Sequence, residues 1–259
     1  MSTVSIERAV PAPARHPQVP FPRLMAVELR KLWDTRAGMW LLGIIAAATA
    51  ATMIIGLVVM DRGDRTLDNL LGLAAVPQNI LLPVLGIMAV TAEWSQRTGL
   101  VTFTLEPRRG RVIAAKLVVN VLVSVAALAV SIGLGGLLYA AVGTGGWTLG
   151  PGEANDLLVG QLLGILQGVA FGLLFLSTAV AVVAFFALPT VWSVALQIGG
   201  DRVASITRWL DLNTTSGPLF GHTMGAAEWA HLAVANTVWV LLPLLLGIWR
   251  VMRAEVKSS

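Results

Sequence analysis

The chain has 259 residues, of which 56% are hydrophobic and only 12% are charged. Soluble domains carry about 25% charged residues, so this composition excludes an ordinary soluble enzyme and a disordered chain and indicates an integral membrane protein. The absence of cysteine excludes disulfides, zinc–thiolate sites, iron–sulfur clusters and a thiol nucleophile. The three histidines, His16, His222 and His231, are too widely spaced to predict a metal cluster.

The N-terminal part divides into a tail and an amphipathic helix. Residues 1–20 are polar and rich in proline, without the apolar core of a signal peptide, and predict a flexible cytoplasmic tail. Residues 21–37 predict a helix that lies in the headgroup plane of the membrane and faces anionic lipid with its basic side chains. A plain basic flank of the first span is the alternative. The apolar stripe of this helix recurs at helical spacing and consists of Phe21, Met25, Leu29, Leu32 and Trp33.

Windows without charged residues define the membrane spans, because a charge at the bilayer centre costs about 2.5–3.5 kcal/mol. A span needs about 20 residues. Residues 157–200 would form a helix about 66 Å long, twice the thickness of the hydrocarbon core, so they must fold back, with the turn expected at 176–178. Residues 212–227 are too short and too rich in Gly, Thr and Pro to cross, and predict a loop or a short re-entrant segment.

These windows predict an all-α polytopic membrane protein with a single transmembrane domain of six transmembrane helices over 21–259. The predicted spans are about residues 38–60, 70–92, 112–142, 157–176, 179–199 and 230–250. An even number of spans places both termini on one side. If that side is the cytoplasm, fourteen of the 18 Lys and Arg residues lie inside, which is a strong positive-inside signal. We therefore expect a multi-pass protein of the cell membrane with cytoplasmic termini and no nucleic-acid partner.

The longest charged internal stretch follows the second span, at residues 93–111. An apolar patch at 100–105 precedes an arginine-rich turn at 107–111. Apolar side chains ringed by arginine are typical of protein-docking surfaces. A positive-inside anchor with incidental hydrophobic residues is an equal interpretation of these residues alone.

Two motifs flank the first two spans. The first is the sequence ELRKL at 28–32 in the amphipathic helix. The second follows the second span and comprises Glu93, Arg97, Thr98, Gly99, Leu105, Pro107, Arg109, Arg111 and Lys116. Together with six spans, these motifs resemble the permease subunit of type-2 ABC exporters, in which an elbow helix precedes the first span.

The resemblance implies that residues 93–111 form a coupling loop that docks into a groove on a cytoplasmic ABC ATPase subunit. It implies two ATPase copies, which hold ATP and Mg²⁺, and a second permease copy or a paired permease. This chain has no GxxxxGK[ST] motif, so we expect no cofactor in it and no enzyme activity of its own. The residues expected to couple to the ATPase are Glu93, Arg97, Gly99, Pro107, Arg108, Arg109 and Arg111.

The fourth predicted span carries a glycine at every fourth position. Such a repeat lets two helix backbones approach closely in lipid, so it predicts a packing face towards a helix of this chain or of a second copy. Chance is the alternative in a chain with 26 glycines. The repeat consists of Gly160, Gly164, Gly168 and Gly172.

Uncharged polar residues also lie at membrane depth. Such groups must find partners or water, so they either line a translocation pathway or form interhelical hydrogen bonds. No charged residue lies deep in a predicted span, which argues against a proton- or sodium-driven transporter. The candidates for pathway lining are Gln78, Asn79, Asn120 and Gln167.

Two other functions are compatible with these residues. One is a membrane scaffold or assembly factor without transport activity. The other is an intramembrane enzyme that uses His222 and His231 with Glu228 and Asp211 near the outer surface. No HExxH or GxSxG motif supports the enzyme.

Overall fold

A computed structural model describes residues 19–95, 108–142, 151–220 and 224–253. Within these ranges the secondary structure is helical, and no strand is present. Residues 1–18 of the predicted tail and 96–107 of the predicted coupling loop lie outside the described residues.

Six helices are long and apolar enough to cross a membrane, which confirms the predicted all-α polytopic fold. An additional helix, α1, precedes them, and two short helices, α7 and α8, lie between the last two spans. The spans are α2 to α6 and α9, and α9 contains a π turn at Thr237–Leu241. The bounds are α1 Phe21–Asp34, α2 Arg36–Val59, α3 Leu67–Ser95, α4 Arg109–Val142, α5 Pro151–Phe175, α6 Thr178–Gly199, α7 Ala204–Leu210, α8 Leu212–Ser216 and α9 Ala226–Arg253.

A sharp corner separates α1 from the first span. Thr35 leaves the helical conformation, and its Oγ1 accepts a hydrogen bond of 3.2 Å from the Gly38 N–H, which caps α2. A Cβ at Gly38 would lie 2.3 Å from the Leu32 carbonyl oxygen. Glycine is therefore needed for α2 to begin this close to α1. We call this end of the bundle, where α3 also ends and α4 begins, the α1 end.

The turn between α5 and α6 lies at Leu176–Ser177, inside the window predicted to fold back. Leu176 has a φ of 54°, a left-handed conformation that non-glycine residues rarely adopt. Arg250 of α9 donates a hydrogen bond to the Leu174 carbonyl and so satisfies the last turn of α5. A hydrogen bond from α9 thus stabilises the tight turn between α5 and α6.

The glycine repeat brings α5 against α3 of the same chain. A Cβ at Gly168 would lie 2.2 Å from the Pro83 carbonyl oxygen, and one at Gly172 would lie 2.3 Å from the Val90 side chain. On α9, a Cβ at Gly247 would lie 2.7 Å from the Leu173 Cβ. Because glycines allow both contacts, α5 lies between α3 and α9.

The segment between α6 and α9 folds back alongside these two spans. Asp211 caps α8 and also accepts a hydrogen bond from Ser193 of α6. The indole N–H of Trp239, in the interior of α9, donates to the Leu210 carbonyl at 2.9 Å. Both contacts lie along the length of a span rather than at its tip, so α7 and α8 pack against the sides of α6 and α9.

Candidate functional site at the α1 end

Four charged side chains from three helices meet at the α1 end. They are Glu28 and Lys31 of α1, Glu93 of α3 and Lys116 of α4. The Lys116 Nζ lies 2.6 Å from Glu28 Oε2 and 3.3 Å from Glu93 Oε1. The Lys31 Nζ lies 2.6 Å from Glu28 Oε1 and 2.7 Å from Glu93 Oε1. Each ammonium therefore contacts both carboxylates, and we call these four residues the charge network.

Burial and neutrality define the electrostatics of the charge network. The side chains of Lys116, Glu93 and Glu28 are only 4%, 5% and 8% exposed, whereas Lys31 is 38% exposed. Two positive and two negative charges cancel, which is the condition under which burial of charge is tolerated. Lys116 also donates to the Ala89 carbonyl of α3 at 2.9 Å, so its ammonium joins all three helices.

Lys31 closes the network on the exposed side, on α1 and outside the spans. Burial lowers the pKa of Lys31, but the carboxylates of Glu28 and Glu93 more than offset this and raise the pKa above its usual value. Lys31 therefore stays charged at neutral pH.

A cavity of about 340 Å³ lies beside the charge network, between α1, α2, α3 and α4. The network forms its polar wall, and apolar side chains such as Leu41, Leu85 and Val119 form the rest. Asn120 also lines this cavity. Its Nδ2 donates to the Lys116 carbonyl at 2.8 Å, while its buried Oδ1 has no hydrogen-bond partner.

The arginines predicted to couple to an ATPase stand at the start of α4. Arg109 donates to the Val251 carbonyl near the end of α9 at 2.7 Å, and Arg111 donates to the Val19 carbonyl before α1 at 2.6 Å. Arg108 is exposed. Hydrogen bonds thus connect the first turn of α4 to the residue Val19, just before α1, and to the end of α9. The predicted coupling residues Arg97, Gly99 and Pro107 lie outside the described residues.

Glu93 is one of the coupling residues expected from the sequence, but its pairing with Glu28, Lys31 and Lys116 was not predicted. One signal for this pairing was present. Glu28 lies three residues after Met25 and four before Leu32, on the apolar stripe of α1 rather than opposite it. A carboxylate on a buried stripe requires a cationic partner.

A second polar cluster connects four spans in the interior of the bundle. The Nε2 of Gln78 donates to Ser131 of α4 at 2.7 Å and to Thr49 of α2 at 3.2 Å. Its Oε1 accepts a hydrogen bond from Gln161 of α5. Gln78 therefore forms interhelical hydrogen bonds, which was the alternative to lining a pathway.

Two other polar candidates, Asn79 and Gln167, line one cavity of about 210 Å³ between α3, α5, α6, α8 and α9. Gly160 and Gly164 of the glycine repeat form part of its wall. The structure therefore divides the four polar candidates among three places: Gln78 lies in the interhelical cluster, Asn120 beside the charge network, and Asn79 and Gln167 here.

The residues of the enzyme alternative have separate contacts. Asp211 caps α8, the Glu228 Oε2 accepts from the Gly225 N–H at 2.8 Å, and His231 packs edge-on against Trp209 with ring centroids 4.3 Å apart. His222 lies outside the described residues. In the part of the chain that the structure describes, no group of His, Asp and Glu side chains is placed to hold a metal ion.

Fold and site together define a multi-pass all-α membrane protein. A buried charge network joins its amphipathic N-terminal helix to the second and third spans. The chain matches no known protein-family model and no curated protein.

Proposed function

We propose that the chain is the permease subunit of an ATP-driven exporter of the type-2 ABC class, located in the cell membrane with cytoplasmic termini. The charge network carries this proposal. It joins α1, the expected elbow helix, to Glu93 at one end of the expected coupling loop and to Lys116 just beyond the other end. The ATPase is a separate subunit, and the coupling residues are those expected from the resemblance.

The charge network is suited to transmitting movement between α1, α3 and α4. Separating α1 from α3 or α4 would leave a charge buried without its partner, which costs about 3–5 kcal/mol. The three helices therefore move as one body when the loop is displaced. A docked ATPase that pushes on residues 93–111 would thus reorient α1, α3 and α4 together.

Intrachain contacts of the arginines support the same role. Arg109 and Arg111 connect the first turn of α4 to the carbonyls of Val251 and Val19. Movement of this turn therefore reaches both ends of the described chain. Arg108 is exposed next to the same turn, within the expected coupling loop.

Affinity purification of the tagged chain from its native membrane tests the proposal, with mass spectrometry of the co-purifying proteins. Arg108→Glu is compared with Arg202→Glu, an equal charge change at an exposed residue at the opposite end of the bundle. We expect a stoichiometric P-loop ATPase with the wild type and with R202E, and at least a roughly tenfold loss with R108E, as charge reversal at an interface produces. A folded chain that co-purifies with no ATPase would contradict the proposal and favour a scaffold.

A further inference from the structure

The cavity of about 340 Å³ beside the charge network is polar at one end and apolar over the rest of its wall. It lies in the angle between α1 and the first turns of α2, against the end of α3, and we call it the corner cavity. The polar end consists of the charge network and Thr35, and the apolar wall includes Leu41, Leu85, Met88 and Val119.

The accessible side of the corner cavity is formed by membrane spans. Ala37 at the start of α2 is exposed, and Leu41 of α2 and Met88 of α3 are half-buried, whereas Leu85 further in is buried. The amphipathic helix α1 is expected in the headgroup plane, and α2 enters the membrane directly after it. The corner at Thr35 therefore lies at the boundary between headgroups and acyl chains, where lipid rather than water meets the cavity.

Two hydrogen-bond donors lie at the polar end of the corner cavity. An ammonium carries three N–H groups, and the carboxylates of Glu28 and Glu93 account for two of those of Lys31. The Thr35 hydroxyl accepts from the Gly38 N–H but donates to no residue that the structure describes. Lys31 and Thr35 both line the cavity and are only partly buried. This end therefore requires a hydrogen-bond acceptor.

These features specify the chemistry of the ligand. The acceptor is neutral, because the charges of the network already balance and a further buried charge would have no counter-ion. The apolar wall requires hydrocarbon next to that acceptor. The volume is at the small end of the range for ligand sites, about 300–1,000 Å³, and so suits part of one chain rather than a whole lipid. An ester carbonyl at the head of an acyl chain has these properties.

We propose that the corner cavity holds one acyl chain of a glycerolipid of the bilayer. The ester carbonyl accepts hydrogen bonds from Lys31 and Thr35, and the chain packs against Leu41, Leu85 and Met88. The headgroup stays outside the cavity, in the plane of α1. Because the bilayer supplies this ligand at high local concentration, weak binding is enough to fill the site.

Photo-cross-linking of the full chain, purified with its co-purifying subunits into nanodiscs, tests the proposal. The probe is a trace of ester-linked phosphatidylcholine with a diazirine on one acyl chain. Two bulk bilayers are compared: ester-linked phosphatidylcholine, and its ether-linked analogue, which has the same headgroup and chains but no carbonyl. Peptide mass spectrometry measures labelling of the cavity wall relative to exposed residues of α6, such as Val191 and Ile198, which report on bulk lipid.

We expect the relative labelling of the cavity wall to rise about threefold to tenfold in the ether bilayer, the preference that a hydrogen bond confers. The rise is expected because the ether lipid competes poorly with the ester probe for the donors of Lys31 and Thr35. The proposal is overturned if the cavity wall and α6 are labelled in the same ratio in both bilayers.

Two matched variants test the position of the chain. Ala92 lines the cavity and is half-buried, so Ala92→Phe places a ring in the cavity and is expected to abolish the rise. Ala47→Phe makes the same change at an exposed residue of α2 outside the cavity wall and should keep the rise. Equal losses in the two variants would also overturn the proposal.

A second pair of variants tests the donor and carries the test if Ala92→Phe fails to fold. Serine and aspartate both cap helices, but an ionised aspartate has no hydrogen to donate. Thr35→Ser is therefore expected to keep the rise in the ether bilayer and Thr35→Asp to reduce it, at similar melting temperatures. An undiminished rise in Thr35→Asp would contradict the assigned contact. The assay contains no ATP, so its failure leaves the permease proposal untouched.

Discussion

The charge network and the amide cavity differ in how their polar groups are paired. The amide cavity is the cavity between α3, α5, α6, α8 and α9, whose lining includes Asn79, Gln167, Asn213 and Asn236. In the charge network each ammonium contacts two carboxylates, and the total charge is zero. Among the described residues, no charged side chain lines the amide cavity, and Gln167 and Asn236 each keep an unpaired atom. A fully paired cluster holds helices together, whereas buried polar atoms without a partner lower stability.

The largest effect on stability is expected from removing a charged side chain from the charge network. Lys116→Met leaves Glu28 and Glu93 buried with one ammonium in place of two, which should destabilise the protein by about 3–5 kcal/mol. Melting of the purified protein in nanodiscs measures the loss. The double variant Lys116→Met/Glu28→Gln restores neutrality and should recover part of it. A melting temperature unchanged in Lys116→Met would show that the network does not join the helices.

Two glycines of the repeat, Gly164 and Gly168, differ in how closely α3 packs against them. A Cβ at Gly168 would lie 2.2 Å from backbone oxygen, whereas one at Gly164 would be in ordinary contact with Pro83. Gly168→Ala should therefore cost about 1–3 kcal/mol through overpacking, and Gly164→Ala less than 1. Thermal melting of the two variants side by side checks this. Equal losses would mean that α3 and α5 are not packed through this repeat.

The interhelical cluster around Gln78 allows a comparison between paired and unpaired amides. Gln78→Met removes the partner of Thr49, Ser131 and Gln161 at once, and should cost about 1–3 kcal/mol because buried polar groups are left unsatisfied. Gln167→Met removes an atom that has no partner and should cost little. Chemical or thermal denaturation of both variants tests the contrast, which would fail if Gln167→Met were the more damaging change.

The smallest effect on stability is expected from a rise in pH. Because the pKa of Lys31 is raised in the folded protein, its contribution to stability is complete below the usual lysine pKa of 10.5 and is lost as pH rises through the folded value. Melting temperatures recorded across that alkaline range should fall more steeply for the wild type than for Lys31→Met. Parallel curves would show that Lys31 does not stabilise the network.

Much of the fold could be predicted because each span must be apolar along its whole length. The charge-free windows therefore give six helices, and the length of 157–200 requires the turn that the structure places at Leu176–Ser177. The orientation of α7 and α8 could not be predicted, because it depends on long-range contacts such as that between Trp239 and Leu210.

The site was less predictable for a related reason. The charge network joins residues that are 62 and 88 positions apart, so no local pattern in the sequence predicts it. The division of polar residues between pairing and cavity lining depends on helix rotation. Gln78 and Asn79 are neighbours in sequence, yet one bonds three helices and the other lines the amide cavity.

The central claim is that the α1 end couples to a separate ATPase, and site-specific cross-linking in native membranes tests it most directly. The chain has no cysteine, so Arg108→Cys introduces a unique thiol at the start of α4, and Arg202→Cys provides the control at the opposite end. We predict that a thiol-directed cross-linker joins position 108, and not position 202, to a P-loop ATPase identified by mass spectrometry. A position 108 that reacts only from outside the cell, or that cross-links to no ATPase, would contradict the account.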